Sequence, residues 1–132
     1  MRQAQQPEFF LDRNVGRHVL PALLRATGWQ IRTHHKVYAG RDQNVEDVEW
    51  LQLCGLGGLV VITADRRIRH RGREIAAIRR YRTKVFVVGG NLSAADTAAR
   101  LERNRQGIVR ACSARGPFVY SVQPDRIVRL FP

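Results

Sequence analysis

The sequence contains little lysine, few cysteines and no long hydrophobic run. Its two cysteines, Cys54 and Cys112, have neither the spacing of a zinc site nor the density of a secreted disulfide scaffold, so we expect core residues in a reducing compartment. No apolar stretch approaches the length that spans a bilayer, and residues 1–7 are polar and lack a signal-peptide core. We therefore expect a cytoplasmic protein with no membrane partner.

Acidic residues are also scarce. Lys and Arg number 23 against 11 Asp and Glu, which gives a formal charge of +12, and all the basic residues except Lys36 and Lys84 are arginines. The planar guanidinium binds phosphate through two hydrogen bonds and stacks on bases. Arg-rich codon usage would give a solvated cationic surface, but it would not explain the shortage of acids. The composition therefore favours a polyanionic partner.

Hydrophobic periodicity predicts alternating strands and helices within one domain, residues 1–132, of which residues 1–7 are a flexible N-terminus. Predicted strands cover residues 8–11, 29–33, 59–63 and 84–88. Predicted helices cover residues 19–27, 45–56, 73–81 and about 94–115, with a polar connection at 34–44 and a hairpin or two edge strands at 117–130. This order predicts an α/β fold with a mostly parallel sheet flanked by helices.

Three acids stand where such a fold would place a ligand. Asp12 directly follows one predicted strand, Asp65 comes two residues after the end of another, and Asp47 lies at the start of a predicted helix. The carboxyl ends of parallel strands share one edge, and carboxylate oxygens suit Mg²⁺ or Mn²⁺. Singly, each acid could instead be a helix cap, a turn former or a first-turn charge. Their expected place on one edge favours a metal site.

Other acids near Asp47 are alternative ligands. Glu46 and Glu49 are three residues apart and would share a helix face, while Asp47 would point elsewhere. Asp42, in the preceding connection, is a weaker candidate. The sequence leaves open which of these acids faces the edge.

Basic residues flank the predicted site. Arg13 and Arg17 lie near Asp12, and a basic cluster follows Asp65, consisting of Arg66, Arg67, Arg69, His70, Arg71 and Arg73. These side chains could bind the phosphates of RNA; alternatively they form a solvated loop that pairs with the acids. We expect phosphate contact from the cluster.

Other polar motifs carry less weight. The Gly89-Gly90-Asn91 turn lacks both the spaced glycines of a dinucleotide site and the lysine of a P-loop, so it is best read as a tight turn. The adjacent His34 and His35 would point to opposite faces of a strand and are expected on the surface. The sequence contains no nucleophile elbow that would indicate covalent hydrolysis.

Three short stretches resemble the PIN-like proteins grouped with the VapC toxins of bacterial toxin–antitoxin pairs. They are Phe9-Phe10-Leu11-Asp12-Arg13, Asp47-Val48-Glu49-Trp50 and Ile62-Thr63-Ala64-Asp65-Arg66-Arg67-Ile68. The similarity covers about residues 8–130. It implies a parallel α/β sheet and Mg²⁺-dependent ribonuclease activity.

By position, Asp12, Asp47 and Asp65 match the family's acids, and Thr63 matches the hydroxyl residue of its last motif. The chain departs from the family where a further Glu would be expected after the first acid; Glu46, Glu49 or Asp42 is left to substitute. The resemblance also implies an antitoxin that covers the site, and PIN toxins commonly form homodimers.

These observations support three hypotheses. The first is an endoribonuclease toxin in which Asp12, Asp47 and Asp65 hold the metal. The second is a non-catalytic RNA-binding protein on a degenerate PIN scaffold. The third, a phosphate-binding regulatory domain with Asp12 as acceptor, is disfavoured because Lys84 precedes its strand instead of following it.

Overall fold

The computed structural model describes residues 6–16, 18–41, 45–89 and 91–132, and the described residues form one sheet of six strands. The strands are β1 (Glu8–Leu11), β2 (Gln30–Thr33), β3 (Val60–Thr63), β4 (Lys84–Val87), β5 (Phe118–Val122) and β6 (Ile127–Phe131). The helices are α1 (Val19–Ala26), α2 (His34–Val37), α3 (Asp47–Gly57), α4 (Gly72–Tyr81), α5 (Ala94–Arg103) and α6 (Arg105–Cys112).

The sheet has the strand order β2-β1-β3-β4-β5-β6. Its first five strands pair in parallel, and β6 pairs with β5 in the antiparallel direction. This arrangement confirms the predicted α/β fold with a mostly parallel sheet and a C-terminal hairpin.

Both faces of the sheet are covered by helices, which explains the uninterrupted apolar character of β3 and β4. Successive side chains of a strand point to opposite faces. In β1, Phe9 and Leu11 accordingly belong to one apolar cluster, which includes residues of α1, α5 and α6. Phe10 belongs to the other, which includes residues of α3 and α4. Asp12 and Asp65, which follow β1 and β3, therefore emerge from the carboxyl edge of a sheet held on both sides.

Residues 34–37 form a short helix, although the sequence predicted an irregular connection there. Thr33 caps this helix, since its Oγ1 accepts a hydrogen bond of 3.2 Å from the Lys36 amide. His34 is only 1% exposed, with its ring 5.8 Å from that of Phe10 and 5.2 Å from that of Tyr38. The predicted surface position of His34 was wrong because the helix turns its ring into the core.

The predicted long helix after Ser93 is divided in two at Asn104. Its start is as expected, because Ser93 Oγ accepts a hydrogen bond of 3.0 Å from the Asp96 amide. Asn104 Nδ2 donates both to the Arg100 carbonyl at 2.9 Å and to the Gln123 carbonyl at 2.8 Å. The side chain thus ties the break between α5 and α6 to the hairpin.

Three predictions fall on residues outside the described ranges. They concern Arg17 as an RNA contact, Asp42 as a metal ligand and the greater part of the flexible N-terminus. Within the described ranges, no helix combines the length and apolar character needed to cross a membrane.

Candidate active site

Asp12 lies at the carboxyl end of β1 and is 4% exposed. Its Oδ1 accepts a hydrogen bond of 2.7 Å from the Arg13 amide, and its Oδ2 accepts one of 2.9 Å from Thr63 Oγ1. Burial raises the pKa of Asp12 to about 6; the Thr63 hydroxyl opposes this shift, and the negative charge of Asp47 adds to it. Burial therefore disfavours the ionised form of the Asp12 carboxylate at this edge.

Thr63, the last residue of β3, connects two of the predicted acids. Its side chain is fully buried, donates to Asp12, and accepts a hydrogen bond of 3.1 Å from the Asp65 amide. The Asn14 side chain adds to the connection between the two strand ends by accepting a hydrogen bond of 3.0 Å from the Ala64 amide. Asp12 and Asp65 are thus placed together at neighbouring strand ends.

Asp47 and Asp65 share a basic neighbour. Arg71 Nη1 is hydrogen-bonded to Asp65 Oδ2 and lies 3.9 Å from Asp47 Oδ2. The other oxygen of Asp65 accepts a hydrogen bond of 3.0 Å from the Arg67 amide, and the other oxygen of Asp47 accepts one of 3.2 Å from Trp50 Nε1. The capping and turn roles considered for Asp12 and Asp65 are thus real local contacts, yet the side chains still converge on one region.

The pKa of Asp47 is raised by burial and in part by the neighbouring acids. Burial raises that pKa first, the Trp50 hydrogen bond opposes the shift, and the charges of Asp65 and Glu74 raise it further. The Arg71 guanidinium opposes them. Asp47 interacts electrostatically with Asp12 as well, so it belongs to the same acidic cluster as Asp12 and Asp65.

Glu74 is an acid that the sequence reasoning missed. It lies half-buried in the first turn of α4 and faces Asp47 across a cleft of about 370 Å³. The cleft is lined by Arg13, Val45, Glu46, Asp47, Val48, Arg73 and Glu74. The position of Glu74 at a helix start is visible in the sequence, but the approach of Glu74 to Asp47 depends on the packing of α4 against α3.

Glu46 and Glu49, the alternative ligands, form ion pairs with arginines. Glu46 Oε2 is 3.1 Å from Arg73 Nη2, and Glu49 forms two hydrogen bonds with Arg41, at 3.0 and 3.2 Å. Asp47 is therefore the acid of this helix whose charge reaches Asp12 and Asp65.

The flanking arginines have different surroundings. Arg13 is exposed and lines the cleft beside Asp47. Arg66, Arg67 and Arg69 are exposed in the segment between Asp65 and α4. Two other arginines of the basic cluster pair with acids, which was the alternative considered for this segment: Arg71 pairs with Asp65, and Arg73 pairs with Glu46.

The donor set has the chemistry of a Mg²⁺ or Mn²⁺ site, because it consists of carboxylate oxygens. Burial, and to a lesser degree the charge of Asp47, raises the pKa of Asp12, so a bound cation would stabilise its ionised form. In the arrangement seen, however, the described residues contain no group of three or more His, Cys, Asp or Glu side chains positioned to hold one ion. The Arg71 guanidinium instead lies between Asp65 and Asp47. The residues fit the metal in kind, and Arg71 must leave Asp65 for the metal to approach it.

Fold and site together define a parallel α/β domain with an acidic cluster at its carboxyl edge. Residues 7–90 match the family model described as a PIN like domain, and the chain belongs to this family. It is 30% identical over 129 residues to a protein of Mycobacterium tuberculosis (strain ATCC 25618 / H37Rv) named "Putative ribonuclease VapC45", with 96% of this chain and 94% of the relative covered. No solved structure gives a significant match.

Proposed function

We propose that this protein, as a single PIN-like domain over residues 1–132, is a metal-dependent endoribonuclease and the toxin of a type II toxin–antitoxin pair. The observation that carries the proposal is the pair of links among the three acids: Thr63 bonds both Asp12 and the Asp65 amide, and Arg71 lies between Asp65 and Asp47. The name of the Mycobacterium tuberculosis relative supports the choice of RNA as substrate. The charge of +12 supports a polyanionic substrate in general.

In this proposal Asp12, Asp47 and Asp65 would hold Mg²⁺ or Mn²⁺. When bound, such an ion supplies an activated water and neutralises charge that develops on the phosphate. Thr63 holds the Asp12 carboxylate in position by its hydrogen bond and links it to the Asp65 backbone. Glu74, which adds negative charge beside Asp47, takes the place of the Glu that the family pattern led us to expect.

The surrounding arginines bind the substrate. Arg13 borders the acidic cleft, and Arg66 and Arg67 directly follow Asp65, where a phosphate at the metal would lie. Arg71 has a different part: it neutralises Asp65 and Asp47 until a metal takes over that task. Metal binding would therefore be coupled to a rearrangement of the Arg71 side chain.

An antitoxin is part of the same proposal. The VapC name of the relative supports such a partner, and a chain of charge +12 would associate rapidly with an acidic antitoxin segment. A homodimer is also proposed, on the family resemblance alone.

The alternative function is RNA binding without cleavage, on a degenerate PIN scaffold. The observation that favours it is the ion pair of Arg71 with Asp65, since a permanent internal cation would make a metal unnecessary. Such a protein would bind RNA with a steep dependence on salt and leave it intact.

The test is incubation of the purified protein with total RNA, with Mg²⁺ or with EDTA. We expect cleavage only with Mg²⁺, and loss of cleavage in Asp12→Asn and Asp65→Asn. Asp125→Asn is the matched control, because Asp125 lies in the exposed turn of the C-terminal hairpin. Intact RNA under every condition would favour the binding protein, and full activity of Asp12→Asn would remove the site as described.

A further inference from the structure

We propose that a pocket formed by Arg66, Arg69 and Arg100 binds a phosphate group of the RNA strand, beside the acidic cluster and separate from it. This inference rests on the proposed function, since it takes RNA to be the ligand. It adds Arg100, a residue of α5, to the residues that contact the substrate.

The pocket lies at the carboxyl ends of β4 and β5. Its volume is about 320 Å³, near the lower end of the range for small-molecule sites, so a phosphate with an adjoining sugar fits. It is lined by Arg66, Arg69, Val87, Val88, Gly89, Arg100, Ser121, Val122, Gln123 and Leu130. None of the three acids of the cluster is among them.

Gly89 shows how closely two of the arginines approach each other. A Cβ atom built on Gly89 would lie 3.2 Å from Arg66 Nη2 and 3.6 Å from Arg100 Nη1. Two guanidinium groups that reach the same point repel each other unless an anion lies between them. The convergence therefore points to a bound anion.

The charge balance around the pocket leads to the same conclusion. Several arginines of the described ranges form ion pairs with acids, among them Arg32, Arg41, Arg71, Arg73, Arg103 and Arg105. Within those ranges, Arg66, Arg69 and Arg100 pair with no carboxylate. Three guanidinium groups thus line one concave surface that contains no acidic side chain.

The remaining polar groups favour a nucleotide over an acidic peptide. Gln123 Nε2 donates a hydrogen bond of 2.6 Å to Ser121 Oγ, so the Ser121 hydroxyl can donate its own hydrogen to a ligand. A ribose hydroxyl or a base edge can use these groups, and the two free oxygens of a phosphodiester match the guanidinium fork. The carboxylate of an acidic peptide also matches the guanidinium fork, but the peptide has no ribose hydroxyl or base edge.

The strand register gives the distance from the acidic cluster. Thr63 pairs with Val87, and Val87 pairs with Ser121, so Ser121 is two strands away from Thr63. At the usual spacing of neighbouring strands this is about 10 Å. A phosphate in the pocket would then belong to a nucleotide close to the one at the acids on the same strand. The pocket would fix the register of the RNA on the protein.

The test measures RNA binding in EDTA, so that cleavage does not enter the result. The probe is a single-stranded RNA oligonucleotide with a fluorophore at its 3′ end, and the readout is fluorescence anisotropy over a series of salt concentrations. Arg110→Gln is the matched control, since it removes the same charge from an exposed position of α6. Circular dichroism checks the fold of each variant.

We expect Arg100→Gln to weaken binding about tenfold and to reduce the salt slope by about 0.7, the value for one lost contact to a single strand. Arg69→Gln, which removes a second charge from the pocket, should also weaken binding. Arg110→Gln should stay within about twofold of the original protein. Binding by Arg100→Gln and Arg69→Gln as tight as that of Arg110→Gln would overturn the proposal.

The source of the phosphate is settled by repeating the titration with and without a 5′-terminal phosphate on the oligonucleotide. An effect of Arg100→Gln on both probes indicates a backbone phosphate, and an effect on the phosphorylated probe alone indicates a terminal one. Both results support the pocket. If a polyglutamate peptide of equal charge competes as well as RNA, and its competition also depends on Arg100, the site is a peptide site and the proposal is wrong.

The two proposals fail in different ways. If the protein binds RNA through Arg100 but never cleaves it, the endoribonuclease proposal fails and the pocket stands. If it cleaves RNA while Arg100→Gln and Arg69→Gln bind like the control, only the pocket fails.

Discussion

Arg71 donates a hydrogen bond to the carboxylate of Asp65, and the same nitrogen lies 3.9 Å from Asp47 Oδ2. A side-chain cation therefore already occupies the place between two of the acids that are proposed to hold a metal. Because Arg71 belongs to the segment that follows Asp65, it can exchange with a metal without any change in the sheet. The first prediction concerns this competition.

Arg71→Gln should bind Mg²⁺ more tightly than the original protein, because the metal no longer displaces an ion pair. A half-exposed pair contributes up to about 1 kcal/mol, which corresponds to about fivefold in affinity. The measurement is the Mg²⁺ concentration that gives half of the metal-induced rise in melting temperature. Arg79→Gln, on the exposed face of α4, is the control; equal Mg²⁺ titrations for both variants would contradict the competition.

Asp12 should make the metal-free protein less stable as the pH rises. The pKa of Asp12 is about 6 in the folded protein against 3.8 ordinarily, so between these values the folded state binds more protons than the unfolded state. Stability is then lost from about pH 4 to about pH 6 and stays lower above that range, by at most about 3 kcal/mol.

Asp12→Asn has no such titration and should gain stability relative to the original protein over the same range. The check is urea denaturation of both proteins in EDTA at about pH 4 and about pH 7. If the stability difference between the original protein and Asp12→Asn is the same at both pH values, burial does not raise the pKa of Asp12.

Thr63→Val should destabilise the fold and disturb the site together. The substitution removes the hydroxyl that donates to Asp12 and accepts from the Asp65 amide, and it leaves both groups poorly satisfied in a buried place. The expected loss is about 1–3 kcal/mol in urea denaturation. Thr63→Ser retains the hydroxyl and should recover most of the RNA cleavage; a serine variant as inactive as the valine variant would argue against the hydrogen bond as the cause.

Gly55→Ala should be destabilising, because α3 and α4 meet closely at this glycine. An added Cβ would lie 2.4 Å from the Tyr81 carbonyl oxygen and 2.7 Å from Thr83 Oγ1, and backbone cannot yield as a side chain can. We expect a loss of about 1–3 kcal/mol in thermal or urea unfolding. Gly57→Ala has open space around the new methyl group and should be neutral or stabilising by up to about 1 kcal/mol. Similar effects at both glycines would exclude steric contact as the explanation.

Much of the fold could be predicted from local pattern. The apolar runs at 8–11, 59–63 and 84–88 are β-branched or aromatic and too short for buried helices, so they predicted β1, β3 and β4. Ser93 predicted the start of α5, because a serine in this position caps a helix by accepting a hydrogen bond from the amide three residues later, here that of Asp96. Since parallel topology places strand ends on one edge, the proximity of Asp12 and Asp65 was also predictable.

The missed features depend on contacts between distant parts of the chain. Asn104 divides the last long helix because Gln123, in the hairpin, accepts its hydrogen bond. Glu74 approaches Asp47 only after α4 has packed on α3. Arg71 pairs with Asp65, whereas Arg66 lines the neighbouring pocket. Because both residues are arginines, the sequence does not distinguish them. The difference depends on how the segment between Asp65 and Arg71 turns.

The position of β4 has a consequence for any attempt to isolate a minimal fragment. The family match ends at residue 90, yet β4 lies inside the sheet and is paired on its far side with β5. A polypeptide cut at residue 90 would keep the pairing of β4 with β3, but the backbone amides and carbonyls of Lys84–Val87 that face β5 would lose their hydrogen-bonding partners along an apolar strand. Such an uncovered edge recruits strands from other molecules, so the shortened polypeptide should be recovered as aggregates.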